Sequence, residues 1–183
     1  MRTYVAPEGL AVSGTTTLSF VENVGSGEFE DLIAKHNLNN IDTEKWYPVQ
    51  QVFDLFNDMT ERAGGIGQVF VAMGMKIAEQ SDFPPELKQE LTLIGILEGW
   101  QEHYAVNHRG ADLPPVTTKK LGDSHYQLVL RPDHLYPYDL VYGMAYGFCK
   151  LLLPKGTKFV VKYADDFNPY KGYSQGVVID VSW

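Results

Sequence analysis

Five histidines and a single cysteine are the side chains of this 183-residue chain best suited to metal binding or nucleophilic work, and their spacing decides what they can do. His103 and His108 form the closest pair, yet five residues on a helix aim two rings in different directions, so a helical His-x-x-x-His clip is absent. Glu98 and Glu102 share a helix face but lack the Glu-x-x-His partner of di-iron bundles and read as a solvated edge. Asp165-Asp166 lacks the spaced oxygens of a calcium site, so metal catalysis is not indicated. Gly172-Tyr-Ser-Gln-Gly176 carries the Gly-x-Ser-x-Gly pattern of a nucleophile elbow, which needs a strand before it, a helix after it and a later histidine. Here a Pro/Gly loop precedes it, a strand pattern follows, and the last histidine is His134, so the segment reads as a turn. Gly65-Ile-Gly67 follows a helix rather than a strand and lacks the third glycine of a dinucleotide loop; it reads as a helix–helix turn. Cys149 sits beside Phe148 and Leu151 to Leu153, neighbours that raise a thiol pKa and suit an inert core residue.

With covalent and metal chemistry set aside, ligand binding is left. Aromatic residues gather in the second half of the chain, among them Trp100, Tyr104, Tyr136, Tyr138, Tyr142, Tyr146, Phe167, Tyr170 and Tyr173. Large apolar bodies with polar tips suit a pocket for an amphipathic molecule, or a dimer interface; ordinary core packing is the plain alternative. Gly143 and Gly147, one helical turn apart, cut a notch where a ligand or another backbone can approach closely. The candidate ligand-binding residues are therefore Trp100, Tyr104, Tyr142, Gly143, Tyr146 and Gly147.

The elements that must position these residues follow from periodicity. Residues 1–27 hold Gly, Ser and Thr with one β-prone patch, Thr15 to Val21, and read as an extended arm or short strand. From Glu28 the spacing turns helical: Phe29 to His36, then Val49, Val52, Phe53, Phe56 and Met59, then Val69 to Ala78. Ser81-Asp-Phe-Pro-Pro-Glu86 is a helix start, and the following helix, Leu87 to Tyr104, carries an apolar stripe wide enough for a central, buried position. Past Gly110 the period becomes two, with strands at Val116 to Leu121 and Tyr126 to Arg131, a helix from about Pro137 to Leu153, and strands at Thr157 to Tyr163 and Val177 to Trp183. Helices first and strands mostly later predict an α+β fold: one domain over 1–183, mainly helical over 28–110. Residues 111–183 form a small, mostly antiparallel sheet with one inserted helix.

Composition bounds the function class. A length of 183 residues with 44% apolar content buries one sizeable core. A net charge of -8 without any dense Lys/Arg stripe argues against nucleic acid. One cysteine makes no internal disulfide, and the N-terminus lacks the apolar core of a signal peptide, so a cytoplasmic location is expected. No run approaches the roughly 18–20 apolar residues that span a bilayer.

Several motifs, taken in order, carry a resemblance: Leu18-Ser-Phe-Val-Glu22, Asp42-Thr-Glu-Lys-Trp-Tyr-Pro48, Trp100-Gln-Glu-His-Tyr104, Asn107-His-Arg-Gly110 and Tyr136-Pro-Tyr-Asp-Leu-Val-Tyr-Gly143. With the two closing strands they resemble the superfamily that joins 4-vinyl-reductase-type domains, Bet3-type subunits of vesicle-tethering complexes and haem nitric oxide/oxygen-binding (H-NOX) domains. The resemblance implies an α+β ligand-binding sensor module of bacterial-type signalling. In the H-NOX branch a histidine in a Leu-Asp-x-x-His-like helix segment holds haem; the similar stretch here is Leu97-Glu-Gly-Trp-Gln101, with Gln101 at the ligand position and His103 two residues on. The Tyr-x-Ser-x-Arg signature that holds the haem propionates is replaced by Leu130-Arg-Pro-Asp-His-Leu-Tyr136, and the acylated cysteine of Bet3 and the cysteine cluster of vinyl-reductase-type domains are not reproduced. The expectation is a non-enzymatic, haem-free domain for an apolar or amphipathic ligand. The alternatives are a haem-based gas sensor using His103, and a module that forms a homodimer or docks a signalling partner.

Overall fold

The structure, a computed structural model, describes residues 3–24, 27–63, 67–81, 92–164 and 176–183. The Gly-x-Ser-x-Gly turn, the Gly65-Ile-Gly67 turn, the Ser81 to Glu86 helix start, the stretch from Leu87 to Leu91, Asp165-Asp166, Phe167, Tyr170 and Tyr173 lie wholly or mostly outside them.

Helices and antiparallel sheets make the fold α+β, and two sheets share the work. β1 (Ala11–Ser13) is the centre of a three-stranded sheet between β2 (Trp46–Pro48) and β3 (His108–Arg109). The register puts Val12 opposite both Tyr47 and His108, so this small sheet ties the N-terminus to the segment that carries two of the histidines. The second sheet runs β4 (Val116–Gly122), β5 (His125–Leu130), β7 (Val177–Ser182), β6 (Val160–Tyr163), with every neighbour antiparallel. Its period-two pattern buries Tyr126, Leu128 and Leu130 with Val177, Ile179 and Val181 on one face.

The expectation of an arm or strand across residues 1–27 is corrected between Gly14 and Glu22, which form helix α1. The β-branched run Thr15-Thr-Thr17 gives a strand-like pattern, but Ser13 accepts a hydrogen bond from the Thr16 amide and caps a helix, and Thr17 Oγ1 donates back to the Ser13 carbonyl. Packing settles it: Thr17 and Phe20 are buried, and Phe20 meets Phe56 and Tyr136 at ring-centroid distances of 5.6 and 5.5 Å. The largely helical stretch 28–110 likewise includes the short strands β2 and β3 among its helices.

The remaining helices are α2 (Glu30–Lys35), α3 (Val49–Ala63), α4 (Gly67–Gln80), α5 (Leu93–Glu98), α6 (Trp100–Val106) and α7 (Tyr138–Leu152). Where periodicity predicts one helix running to Tyr104, the described part is broken at Gly99 into α5 and α6. Two contacts from β4 hold the break: Thr118 Oγ1 donates to the Leu97 carbonyl at 2.6 Å, and the Val116 amide donates to Gln101 Oε1 at 2.8 Å. The apolar side chains form two clusters, one around Phe53, Phe56 and Phe70, the other around Trp100, Phe148 and the sheet.

Charged clasps on the surface join α2 to α3. Arg62 donates to both carboxylate oxygens of Asp31 at 2.7 and 2.6 Å, while Lys35 and His36 both reach Asp58 Oδ2, at 2.6 and 2.7 Å. Arg62 holds Asp31 down to about 2, and Lys35, then His36, hold Asp58 below the usual carboxylate range. A carboxyl depressed in the folded state contributes stability above its unfolded pKa, near ~4, and loses it as pH falls through the folded value. The melting temperature is therefore expected to drop as pH falls from about 4 toward 2. Asp31→Asn with Asp58→Asn should flatten that part of the profile in a pH-resolved melting series.

Candidate functional site: a chamber between α1, α4, α6 and α7

Between the two apolar clusters lies a cavity of about 460 Å³, within the range of small-molecule sites. One wall is α1, through Thr15, Thr16, Ser19 and Phe20, with the end of α4, through Ile77 and Gln80. The lining continues with α6, with Leu140, Val141, Met144 and Phe148 of α7, and with His108, His134 and Tyr136.

Helical spacing explains why α6 serves as a wall: Trp100, His103, Tyr104 and Asn107 recur at intervals of three and four and fall on one face. Trp100 is buried edge-on against Phe148, with centroids 6.0 Å apart and rings at 88°. His103 is exposed where α6 meets the chamber. Gln101, which the sequence resemblance sets against the histidine of the Leu-Asp-x-x-His-like segment, is not among the residues lining the chamber; its amide oxygen is bonded to β4.

Among the described residues that line the chamber there is no Asp, Glu, Lys or Arg. His108 Nδ1 lies 2.7 Å from the Tyr104 carbonyl, which only accepts, so that nitrogen carries the proton. In the neutral ring Nε2 then accepts from the Tyr136 hydroxyl, also at 2.7 Å. Burial lowers the His108 pKa and raises those of Tyr104 and Tyr136, which keeps all three neutral near pH 7. The Tyr104 hydroxyl is buried and makes no hydrogen bond within the protein.

The other candidates fall elsewhere. Tyr142 donates to the Val161 carbonyl at 2.8 Å and stacks near Tyr163, and Tyr146 packs on Phe159 with centroids 5.1 Å apart; both face β6 and its approach. Gly143 and Gly147 open onto α4, whose backbone fills the notch. A Cβ on Gly143 would meet the Val71 carbonyl, and one on Gly147 would stand 2.9 Å from the Met75 carbonyl oxygen and 2.7 Å from Ala78 Cβ. Gly74 returns the contact against the Leu140 carbonyl. Of the six candidate ligand residues, Trp100 and Tyr104 line the chamber, as does His103. Cys149 is buried with its thiol pushed up to about 12, and is no nucleophile at neutral pH. Sequence reasoning missed the hydroxyl face of α1, whose residues lie some 85 positions from α6, and His134, which follows the charged Arg131-Pro-Asp133 and so carries no local sign of burial.

No helix among the described residues is long and apolar enough to cross a membrane. No family model and no curated protein sequence matches the chain. Its backbone is nevertheless similar to solved H-NOX domains. A Cs H-NOX mutant with an unnatural amino acid superposes with a TM-score of 0.68 at 14% identity, over 93% of this chain and 95% of the other. A T. Tengcongensis H-NOX mutant gives 0.67 at 13%, over 93% and 96%. An oxygen-binding H-NOX domain related to soluble guanylate cyclases, seen as its oxygen complex, gives 0.64 at 13%, over 93% and 94%. Identities this low speak for architecture alone, and the architecture of this chain is H-NOX-like.

Proposed function

We propose that this protein is a small-molecule sensor domain that works through the chamber, and that haem, held by His103, is the occupant its fold favours. The observation that carries the reading is a histidine in the wall of an apolar chamber in an H-NOX-like fold. Imidazole is a common axial ligand of haem iron, and the walls suit a flat apolar body. Thr15 contributes a hydroxyl to the lining, while Thr16 donates to Asn107 Oδ1 and the Asn107 amide donates to the His103 carbonyl. A bound haem would supply an iron coordination position for a diatomic gas. The residues of the chain would do the rest: His103 ligates, Trp100 and Phe148 exclude water, and members of both apolar clusters line the site, so occupancy bears on both. Titration of the purified protein with haemin tests this, with a Soret band that saturates at one equivalent as the expected result. A spectrum of free haemin at every ratio would reject haem.

A second reading, a haem-free chamber for an uncharged amphipathic molecule, has its own observations. Gln101 is tied to β4, and no Lys or Arg among the described residues lines the chamber to pair with propionates. Under this reading haemin leaves no saturable signal and an apolar ligand takes its place.

A further inference from the structure

We infer that Asn107 is a positioning residue for the proposed haem site: its carboxamide fixes the last turn of α6, and with it His103, against the first turn of α1. The inference rests on the reading of His103 as the haem ligand and goes beyond it in naming what holds that ligand in place.

The need for such a residue follows from where His103 sits. The helix α6 ends at Val106, so His103 lies in its last turn, where a backbone ladder frays. Two side chains close that turn. The Asn107 carboxamide nitrogen donates to the His103 carbonyl at 2.9 Å. His108 Nδ1 donates at 2.7 Å to the Tyr104 carbonyl, one of those that the ending helix leaves without an intrahelical partner. A ligand is precise only when the groups behind it are locked, and these two bonds lock the backbone that carries the His103 ring.

The other end of the same carboxamide reaches α1. Since the His103 carbonyl only accepts, the nitrogen of Asn107 lies on that side and its oxygen turns the opposite way. Asn107 Oδ1 accepts from Thr16 Oγ1 at 3.0 Å, and Thr16 Oγ1 accepts in turn from Ser13 Oγ at 2.8 Å. The Ser13 amide adds a bond to the Asn107 carbonyl, also at 3.0 Å. Ser13 is the cap of α1, and Thr15, Thr16, Ser19 and Phe20 of that helix line the chamber. A helix cap needs only the donation to His103. The acceptor side, engaged by a residue 91 positions away, is what joins the helix of the ligand to the facing helix of the site. One side chain with a donor and an acceptor on a single planar group serves both bonds; a carboxylate at this position has no donor for His103.

The test is a pair of haemin titrations followed at the Soret band. In the parent, Asn107→Ala should weaken haemin binding about three- to tenfold, the value of one neutral hydrogen bond. It should also move the iron–imidazole stretching band in resonance Raman spectra of the reduced protein. In His103→Gly supplied with saturating imidazole the ligand is no longer tethered to α6, so adding Asn107→Ala there should change neither quantity. Asn107→Asp keeps an acceptor for Thr16 but loses the donor to His103, and should match Asn107→Ala in the parent. Equal losses in both backgrounds would mean that Asn107 supports the fold and not the ligand, and would overturn the inference; no loss in either would do the same. Thr16→Val leaves Asn107 in place and breaks its tie to the Thr16 hydroxyl. It should give a smaller loss, again confined to the parent background, and it supplies the comparison if Asn107→Ala does not fold. A parent with no saturable Soret band would remove the haem reading and the inference with it.

Discussion

Gly143→Ala is expected to destabilise the fold more than any other single-methyl addition in α7. The new Cβ would enter the space held by the Val71 carbonyl, and backbone cannot swing aside as a flexible side chain can. Overpacking of a tight core costs about 1–3 kcal/mol and occasionally more, and a clash with helix backbone belongs at the upper end. At roughly 2–4 °C per kcal/mol for a chain of this size, the melting temperature should fall by about 6–12 °C. Gly74→Ala, whose Cβ meets the Leu140 carbonyl from the α4 side, should behave alike. Gly156→Ala makes a useful contrast. That position has open space around it but a φ of +92°, so its cost is backbone strain alone, about 1 kcal/mol. Thermal melts of the three variants separate a helix-packing role from a conformational one.

Loss of haem binding in His103→Ala is the second large effect. Removing a partner that merely supports a metal ligand lowers affinity by about 10–100-fold, and removing the ligand itself should cost at least that much. The Soret band should disappear from haemin titrations, and His103→Gly should recover it when imidazole is supplied. Because His103 is exposed, its removal should leave folding within about 0.5 kcal/mol of the parent. Circular dichroism melts run beside the spectra show whether the loss is chemical or structural.

Much of this arrangement is legible in the sequence where one period governs one element. The alternation Tyr126, Leu128, Leu130 marks β5, and the apolar run from Tyr138 to Leu152 marks α7, because each buries one regular face. The Thr15 to Val21 helix is hidden because its threonines prefer strands; the cap at Ser13 and the burial of Phe20 override them. The break at Gly99 depends on contacts from β4, more than fifteen residues away, which periodicity cannot report.

The site divides along the same line. Trp100, His103 and Tyr104 share a face that helical spacing makes visible. Tyr142 and Tyr146 lie two residues round α7 from Leu140 and Met144, enough to turn them toward β6 and its approach rather than the chamber. Gly143 and Gly147 do mark a place of close approach, but a sequence does not say which partner fills it, and here the backbone of α4 does. Function is argued from these side chains, since the H-NOX-like architecture alone does not specify what is bound.

Native mass spectrometry of the protein purified from cells supplied with a haem precursor tests the chamber most directly. The account predicts one small molecule carried by the folded chain and released on unfolding, either a haem or an uncharged apolar compound. A bare chain of 20.6 kDa that also takes up no haemin would contradict it.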